Sequence, residues 1–247
     1  MLPIRDHNPS ERLPYVTYAL LAMNIVIYLW GLAFITTEQE IGRLYYDYAM
    51  IPARISASES YPSLVTSAFL HAGFMHLAGN MLFLWIFGDN MEDKMGHVPF
   101  LIFYLASGVG ANFAQLLADA SSPIPTIGAS GAIAGVMGGY LLLFPKAKVD
   151  IFFFFIVFFR IVPVPAWIML GLWFALQLGN GVISDGAGGG VAYWAHAGGF
   201  VIGFILTLPL WLRLGGNGFW VRTDYHPDHP EAEYRIGKSR IPVVHRK

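Results

Sequence analysis

Long apolar stretches separated by short polar ones dominate the chain, and they predict membrane-spanning helices. A helix crosses the hydrocarbon core with roughly 20 mostly apolar residues, or fewer where it is partly sheltered by protein. Six stretches meet this requirement, at about 15–35, 69–88, 98–118, 128–144, 164–179 and 195–213. The pattern therefore predicts an all-α polytopic membrane protein built on a bundle of six transmembrane helices.

One further apolar run, Ile151–Val162, is harder to place. It consists almost entirely of Phe, Ile and Val, but it is too short to span a bilayer. Two lysines stand just before it, Arg160 interrupts it, and a Pro-Val-Pro sequence closes it. We interpret it as an interfacial or re-entrant excursion before the fifth span, not as a seventh crossing.

The positions of lysine and arginine predict the orientation, because cytoplasmic loops carry an excess of these residues. If the N-terminus is inside, only Arg43 and Arg54 of the 15 Lys and Arg residues lie in outer segments. Both termini are therefore predicted to be cytoplasmic. The outer loop at about 36–68 is long enough to hold structure of its own.

Composition agrees with a membrane protein. The 247 residues are 55% hydrophobic and 13% charged, whereas a soluble domain of this size needs more charge to cover its surface. A net charge of −1 without a basic run gives no sign of a nucleic-acid partner. Cysteine is absent, which excludes thiol nucleophiles and disulfides. We divide the chain into a cytoplasmic segment 1–14, a membrane domain 15–214 and a polar, flexible cytoplasmic tail 215–247.

Polar side chains lie at a similar depth, near the outer face, in the three even-numbered spans. Span two carries His76 and Asn80 in its outer part, span four begins near Ser130, and span six has His196 near its start. Ionisable and amide groups inside a membrane almost always face the bundle interior or a water-filled cavity. These four residues are therefore candidates for a single site.

Two ridges of small residues indicate which spans pack together. At four-residue spacing, span four carries Gly131, Gly135 and Gly139, and span six carries Ala195, Gly199 and Gly203. Such ridges let two helix backbones approach closely. Since Ser130 and His196 each lie one position from the start of a ridge, packing of the two spans would bring hydroxyl and imidazole toward hydrogen-bond distance. A neutral imidazole can take the hydroxyl proton and so activate serine as a nucleophile.

Span two can complete such a site. His76 and Asn80 are four residues apart and share one helix face. Their N–H groups, together with the backbone N–H of Ser130 at a helix N-terminus, can hold a developing oxyanion. The outer ends of these spans carry no acidic residue that could orient His196. The sequence therefore predicts a Ser–His dyad, not a triad.

These residues resemble the motifs of the rhomboid intramembrane serine proteases. The resemblance rests on three segments in order along the chain: His76-Leu77-Ala78-Gly79-Asn80, Gly128-Ala129-Ser130-Gly131 and Ala195-His196-Ala197-Gly198-Gly199. It extends over almost the whole membrane domain, and Glu92 before Gly96 in the second cytoplasmic turn also looks like the family. Three motifs on three helices are far more specific than Gly-x-Ser-Gly alone.

The resemblance implies a serine endopeptidase that needs no metal or other cofactor. Its partners would be transmembrane protein substrates, cut in or near their spans, and the lipid bilayer. The simplest location is a bacterial inner (cell) membrane, with the site near the outer face. The implied catalytic residues are Ser130 as nucleophile and His196 as general base and acid. The implied oxyanion site comprises Asn80, His76 and the Ser130 backbone, and the implied motif glycines are Gly128, Gly131 and Gly199.

The chain departs from some members of the family at two places. Those members carry a Trp-Arg pair in the first outer loop, which Tyr61–Thr66 lacks here. Some also place an aromatic residue one turn after the serine, packed on the catalytic histidine, where this chain has Ala134. The resemblance therefore extends to the dyad, but not to loop architecture or substrate preference.

Other interpretations of the same residues compete with this one. Ser130 could cap its own helix, and Asn80 could form a structural bond between helices. A metal site at His71, His76 and His196 is disfavoured, because the outer ends of these helices offer no carboxylate or thiolate ligand. A non-catalytic rhomboid-like protein that binds membrane clients is the main alternative function. A small transporter would need polar residues continuing inward, yet span four below Ser130 is glycine and aliphatic.

Overall fold

Long apolar helices make up most of the computed structural model, which describes residues 2–155, 158–183, 190–226 and 230–232. The helices in this part of the chain are α1 Tyr15–Phe34, α2 Glu38–Tyr48, α3 Pro52–Ser56, α4 Ser63–Thr66, α5 Phe74–Met95, α6 His97–Ala118, α7 Ser130–Leu143, α8 Ala166–Ile183, α9 Tyr193–Leu214 and α10 Asn217–Thr223. The strands are β1 Leu2–Asp6, β2 Lys148–Phe155 and β3 Phe158–Pro165.

Several of these helices have the length and composition of membrane spans. Within the described ranges, α1, α6, α8 and α9 qualify outright. α5 becomes a fifth span if it is joined to the short helical segment Ser63–Phe69, from which it is bent by 98°. α7 is apolar but shorter. Large apolar side chains on α1 and α8 are exposed, among them Val26 at 63% and Val182 at 75%, as expected for surfaces that face lipid. The prediction of a multi-pass membrane protein is confirmed.

The second predicted span, at about 69–88, is displaced along the chain. α5 begins only at Phe74, after Gly73, and it continues to Met95. The helix therefore extends past the end of the apolar run and includes Asp89, Glu92 and Asp93. The apolar pattern marks the part of a helix that lies in lipid, and it does not mark where the helix ends.

α7 is the buried centre of the bundle, and most of its residues are shielded from solvent. It contacts α5, α6 and α9, and its contact with α9 is between backbones. A Cβ on Gly199 would lie 2.2 Å from the carbonyl oxygen of Gly131, and one on Gly203 would lie 2.1 Å from that of Gly135. Real Cβ atoms do not come so close, so only glycine fits at these positions. The predicted packing of the two small-residue ridges is confirmed.

Glu92 joins the start of α1 to the end of α5. Its carboxylate accepts hydrogen bonds from the backbone N–H groups of Val16 and Thr17, at 2.9 and 2.7 Å, and from the Thr17 hydroxyl at 2.7 Å. Nδ1 of His97 lies 2.6 Å from the same carboxylate. The first N–H groups of a helix have no partner within it, and Glu92 supplies one from another helix.

A small antiparallel sheet, in the order β1-β2-β3, lies at the end of the bundle where α7 runs into β2. β2 and β3 form a hairpin, and β1 from the N-terminus covers the other edge of β2. The purely all-α fold class is therefore wrong, because residues 151–155 and 158–162 belong to paired strands. The predicted interfacial or re-entrant position of the run 151–162 stays a prediction. Aromatic and β-branched residues favour strands, and β1 supplies hydrogen-bond partners for them from far along the chain.

Two aspartates fix this sheet to its surroundings. Asp150 of β2 lies 2.7 Å from Nε of Arg5 and 2.9 Å from Nε2 of His7. Burial would raise the pKa of Asp150, but the hydrogen bonds from His7 and Arg5 outweigh it and hold the pKa below its usual value. Asp6 of β1 accepts hydrogen bonds from the Tyr140 hydroxyl at 2.8 Å and from Nδ2 of Asn90 at 2.9 Å. The sheet is thus tied to both α5 and α7.

The first part of the predicted tail is ordered. In α10, Phe219 is 2% exposed, and Trp220 packs against Trp211 with ring centroids 4.8 Å apart. Nε1 of Trp220 also donates a hydrogen bond to the carbonyl of Leu142 at 3.0 Å. The prediction of a flexible tail falls mostly on residues 227–229 and 233–247, which lie outside the described part of the chain.

Candidate active site

The four candidate residues lie within the first two turns of three helices. Ser130 is the first residue of α7, His196 lies in the first turn of α9, and His76 lies in the first turn of α5 with Asn80 one turn further on. These helix starts lie at the end of the bundle opposite the sheet. The four side chains line one cavity of about 960 Å³, as the sequence predicts for a single site.

The Ser130 hydroxyl and the His196 imidazole are within hydrogen-bond distance. Oγ of Ser130 lies 2.8 Å from Nε2 of His196. Ser130 does not use its hydroxyl to cap α7, because Ala129 occupies the cap position and no side-chain cap bond is made. Both residues are only partly buried and line the cavity, so a reactant in the cavity can reach them. The geometry is that of a serine with a general base beside it.

A third residue contacts His196, and sequence reasoning missed it. Oε1 of Gln177, in α8, lies 2.9 Å from Nδ1 of His196, the ring nitrogen that faces away from Ser130. The sequence feature that could have revealed this contact is that Gln177 is the one amide residue in the otherwise apolar predicted span 164–179. The expected partner of the histidine was an acidic residue at the outer end of an even-numbered span, whereas Gln177 is neutral and lies in span five.

An aromatic ring also covers His196. The Trp173 ring lies 5.8 Å from the imidazole, centroid to centroid, at 31° between the planes. Trp173 belongs to α8, one turn before Gln177. The absence of an aromatic residue at Ala134 of α7 is therefore offset by a ring from a neighbouring helix. Together, Trp173 and Gln177 restrict the orientation of the imidazole.

Gly128 brings the backbone before Ser130 against the polar groups of α5. Its φ of +118° is unfavourable for other residues. A Cβ at this position would lie 2.6 Å from Nε2 of His76 and 3.6 Å from Nδ2 of Asn80. This loop therefore approaches both side chains closely, which a residue with a side chain would prevent.

The amide of Asn80 is buried and its nitrogen is unused. Asn80 is 7% exposed, and within the described ranges its Nδ2 has no hydrogen-bond partner. A buried amide nitrogen without a partner is costly. If Asn80 formed a structural bond between helices through this nitrogen, Nδ2 would have an acceptor. Within the described ranges this nitrogen therefore makes no such bond, and Asn80 is one of the residues that line the cavity shared by Ser130 and His196.

The chain is similar to a known protein family and to several individual proteins. The Rhomboid domain family matches residues 58–213. Rhomboid protein 1, mitochondrial, of Saccharomyces cerevisiae is 32% identical over 198 residues, 77% of this chain and 51% of that protein. RHOMBOID-like protein 4 of Arabidopsis thaliana is 35% identical over 150 residues, 61% of this chain and 34% of that protein. Rhomboid protease GluP of Bacillus subtilis is 44% identical over 78 residues, 32% of this chain and 15% of that protein. The chain thus spans about half of the yeast protein and less of the other two.

Proposed function

The chain belongs to the rhomboid family, and from this premise we propose that it is a serine endopeptidase that cuts membrane proteins in or near their transmembrane segments. Ser130 is the nucleophile and His196 the general base and acid. The observation that carries the proposal is the 2.8 Å separation between Oγ of Ser130 and Nε2 of His196. A cavity that reaches both atoms gives a substrate and a water molecule room to enter.

The reaction proceeds in two halves. Nε2 of His196 accepts the hydroxyl proton as Oγ of Ser130 attacks the carbonyl carbon of the scissile peptide bond. The C–N bond then breaks, the proton on Nε2 passes to the leaving amine, and an acyl-enzyme remains. A water molecule loses a proton to Nε2 and attacks the ester, and Ser130 recovers its proton when the new carboxyl group leaves.

Negative charge develops on the carbonyl oxygen in both halves. The backbone N–H of Ser130, at the start of α7, has no partner within its helix and is available as a donor. Nδ2 of Asn80 is a second donor, since it has no other partner in the described part of the chain. The close approach of His76 to the backbone at Gly128 makes its imidazole a third candidate. Donors fixed in place before the reaction stabilise the oxyanion most effectively.

The proposal includes a membrane topology. α1, α5, α6, α7, α8 and α9 form the six spans of domain 15–214, and segment 1–14 and tail 215–247 are cytoplasmic. The distribution of Lys and Arg supports this topology, because cytoplasmic segments carry an excess of these residues. In this orientation the proposed active site would lie near the outer face. The named relatives come from mitochondria, a plant and a bacterium, so they do not support the predicted bacterial inner membrane.

A cleavage assay in lipid tests this function. Purified protein is reconstituted with single-span substrates whose transmembrane helices contain glycine or other helix-weakening residues. The parent is expected to release defined fragments, and Ser130→Ala is expected to release none. The rival function, a rhomboid-like client-binding protein, predicts that parent and Ser130→Ala bind the substrate equally and that neither cuts it. Equal cleavage by both proteins would contradict the assigned nucleophile.

A further inference from the structure

Gln177 is an unusual residue for its surroundings. α8 is otherwise apolar over most of its length, yet the Gln177 side chain is 8% exposed and turns toward the interior of the bundle. Burying an amide in a membrane domain is costly unless its donors and acceptor are paired. Its principal partner is the imidazole of His196, at 2.9 Å. This position therefore needs an explanation that packing alone does not give.

The hydrogen bonds of Gln177 determine which way its amide points. Nε2 donates to the carbonyl oxygen of Trp173, one turn earlier in α8, at 3.4 Å. Rotating the amide by half a turn would place Oε1 against that carbonyl oxygen, two acceptors without a proton between them. Oε1 therefore faces Nδ1 of His196. An amide oxygen only accepts, so Nδ1 is the nitrogen that carries the proton.

This arrangement selects one of the two neutral forms of His196. A neutral imidazole carries a single N–H, and its other nitrogen presents a lone pair. With the proton on Nδ1, the lone pair on Nε2 points to Oγ of Ser130, 2.8 Å away. In the other form Nε2–H would face the hydroxyl, and Nε2 could not accept its proton. The position of one proton thus decides whether His196 can act as a base.

We propose that Gln177 is a positioning residue, which holds the His196 proton on Nδ1 and aims Nε2 at Ser130. The inference rests on the proposed function, in which His196 is the general base. A carboxylate at this position would also stabilise the imidazolium by its charge. The neutral amide of Gln177 instead orients the hydrogen bond from Nδ1 of His196, and it stabilises the imidazolium only through its dipole. The Ser–His pair of this protein is therefore extended by a neutral third member from α8.

The kinetic test compares three variants of the full chain in lipid. Gln177→Leu removes the acceptor at similar volume, and it is expected to lower kcat about tenfold with little change in KM, as the loss of one hydrogen bond in the transition state predicts. Gln177→Glu keeps an acceptor, so it is expected to retain most of the parental kcat above neutral pH. Its carboxylate favours the charged imidazole, and the acid limb of its pH–rate profile is expected to move to higher pH.

Asn24→Leu serves as the matched control, because it also replaces a buried amide in a span. Asn24 is 0% exposed in α1, and its Nδ2 donates to the Leu20 carbonyl at 2.8 Å. This variant is expected to cleave at the parental rate. Parental activity in Gln177→Leu would overturn the proposal. So would equal losses in Gln177→Leu and Gln177→Glu, with an unshifted pH profile, since these would indicate packing alone.

A spectroscopic test does not depend on protease activity. Nitrogen NMR of protein labelled with ¹⁵N-histidine distinguishes the two neutral forms, and the His196 signals are identified as those lost in His196→Ala. The parent is expected to hold the proton on Nδ1, and Gln177→Leu is expected to show a mixture. A proton on Nε2 in the parent would overturn the proposal, even if the protein cleaves. If the parent holds the proton on Nδ1 and Gln177→Leu shows a mixture, but the parent does not cleave substrates, then the role of Gln177 is upheld and the proposed function is refuted.

Discussion

Nε2 of His196 lies 2.8 Å from Oγ of Ser130, although the two residues are 66 positions apart in the chain. The contact depends on the backbones of α7 and α9, which touch where Gly199 faces Gly131. Since Ser130 adjoins Gly131 and His196 lies three residues before Gly199, a small change in helix separation acts directly on the contact between Ser130 and His196. Substitutions at these glycines therefore test both the contact between Ser130 and His196 and the packing of α7 against α9.

Gly203→Ala is expected to destabilise the bundle. The added Cβ would lie 2.1 Å from the carbonyl oxygen of Gly135 and 2.3 Å from its Cα, and backbone atoms cannot move aside as a flexible side chain can. Overpacking of this kind costs about 1–3 kcal/mol. The midpoint of thermal unfolding in detergent should fall, and activity should fall with it.

The control for this substitution is Gly171→Ala in α8. A Cβ at Gly171 would meet nothing within 4 Å, and alanine has the higher helix propensity. Its midpoint should equal or slightly exceed that of the parent. If Gly203→Ala and Gly171→Ala had the same midpoint, the close contact of α7 and α9 would be refuted.

Asn80→Ala is expected to lower kcat about 100-fold, the effect of removing one oxyanion donor. Because Nδ2 of Asn80 has no partner within the described ranges, the midpoint of unfolding should hardly change. The comparison separates the two interpretations of this residue. A structural amide would give a lower midpoint with nearly normal turnover by the molecules that remain folded, and that result would rule out the oxyanion role.

Asp6 is expected to make stability depend on pH. Burial, together with the nearby Asp89 carboxylate, raises the pKa of Asp6 well above its usual value. The folded protein then binds a proton at Asp6 more tightly than the unfolded chain does. The contribution of this proton to the free energy of unfolding is fully present below about pH 4. It is lost as the pH rises through the raised pKa. The unfolding midpoint of the parent should therefore fall as the pH increases from about 4 toward neutrality.

Asp6→Asn is the comparison for that measurement. An asparagine oxygen can still accept from Tyr140 and Asn90, but it carries no charge. The difference in midpoint between variant and parent should be small near pH 4 and should grow in favour of Asp6→Asn as the pH rises. A constant difference across this range would mean that Asp6 does not titrate as described.

The sequence predicts much of the site because the information lies in local motifs. Ser130 and His196 stand out as polar residues beside glycine ridges in apolar spans, and the ridges themselves indicate that α7 meets α9. Gln177, by contrast, does not lie beside one of these ridges of small residues. Its partner is 19 positions away, and only the three-dimensional packing of α8 shows which ring it contacts.

The sheet was missed for a related physical reason. The run Ile151–Val162 is apolar except for Arg160, so it lacks the alternation of apolar and polar residues that a half-buried strand shows. Its partner β1 lies about 145 positions earlier, as the Arg5–Asp150 contact shows, and no local pattern reports such a pairing. The enrichment in aromatic and β-branched residues was the available signal.

The most direct test of the Ser130–His196 pair is labelling with a serine-directed fluorophosphonate, with the modified residue identified by mass spectrometry. A serine reacts readily only when a neighbouring base activates its hydroxyl. In the folded parent the label is expected on Ser130, and labelling is expected to disappear in Ser130→Ala and in His196→Ala, while Gly171→Ala labels as the parent does. Absence of the label in the folded parent, or undiminished labelling of Ser130 in His196→Ala, would contradict the account.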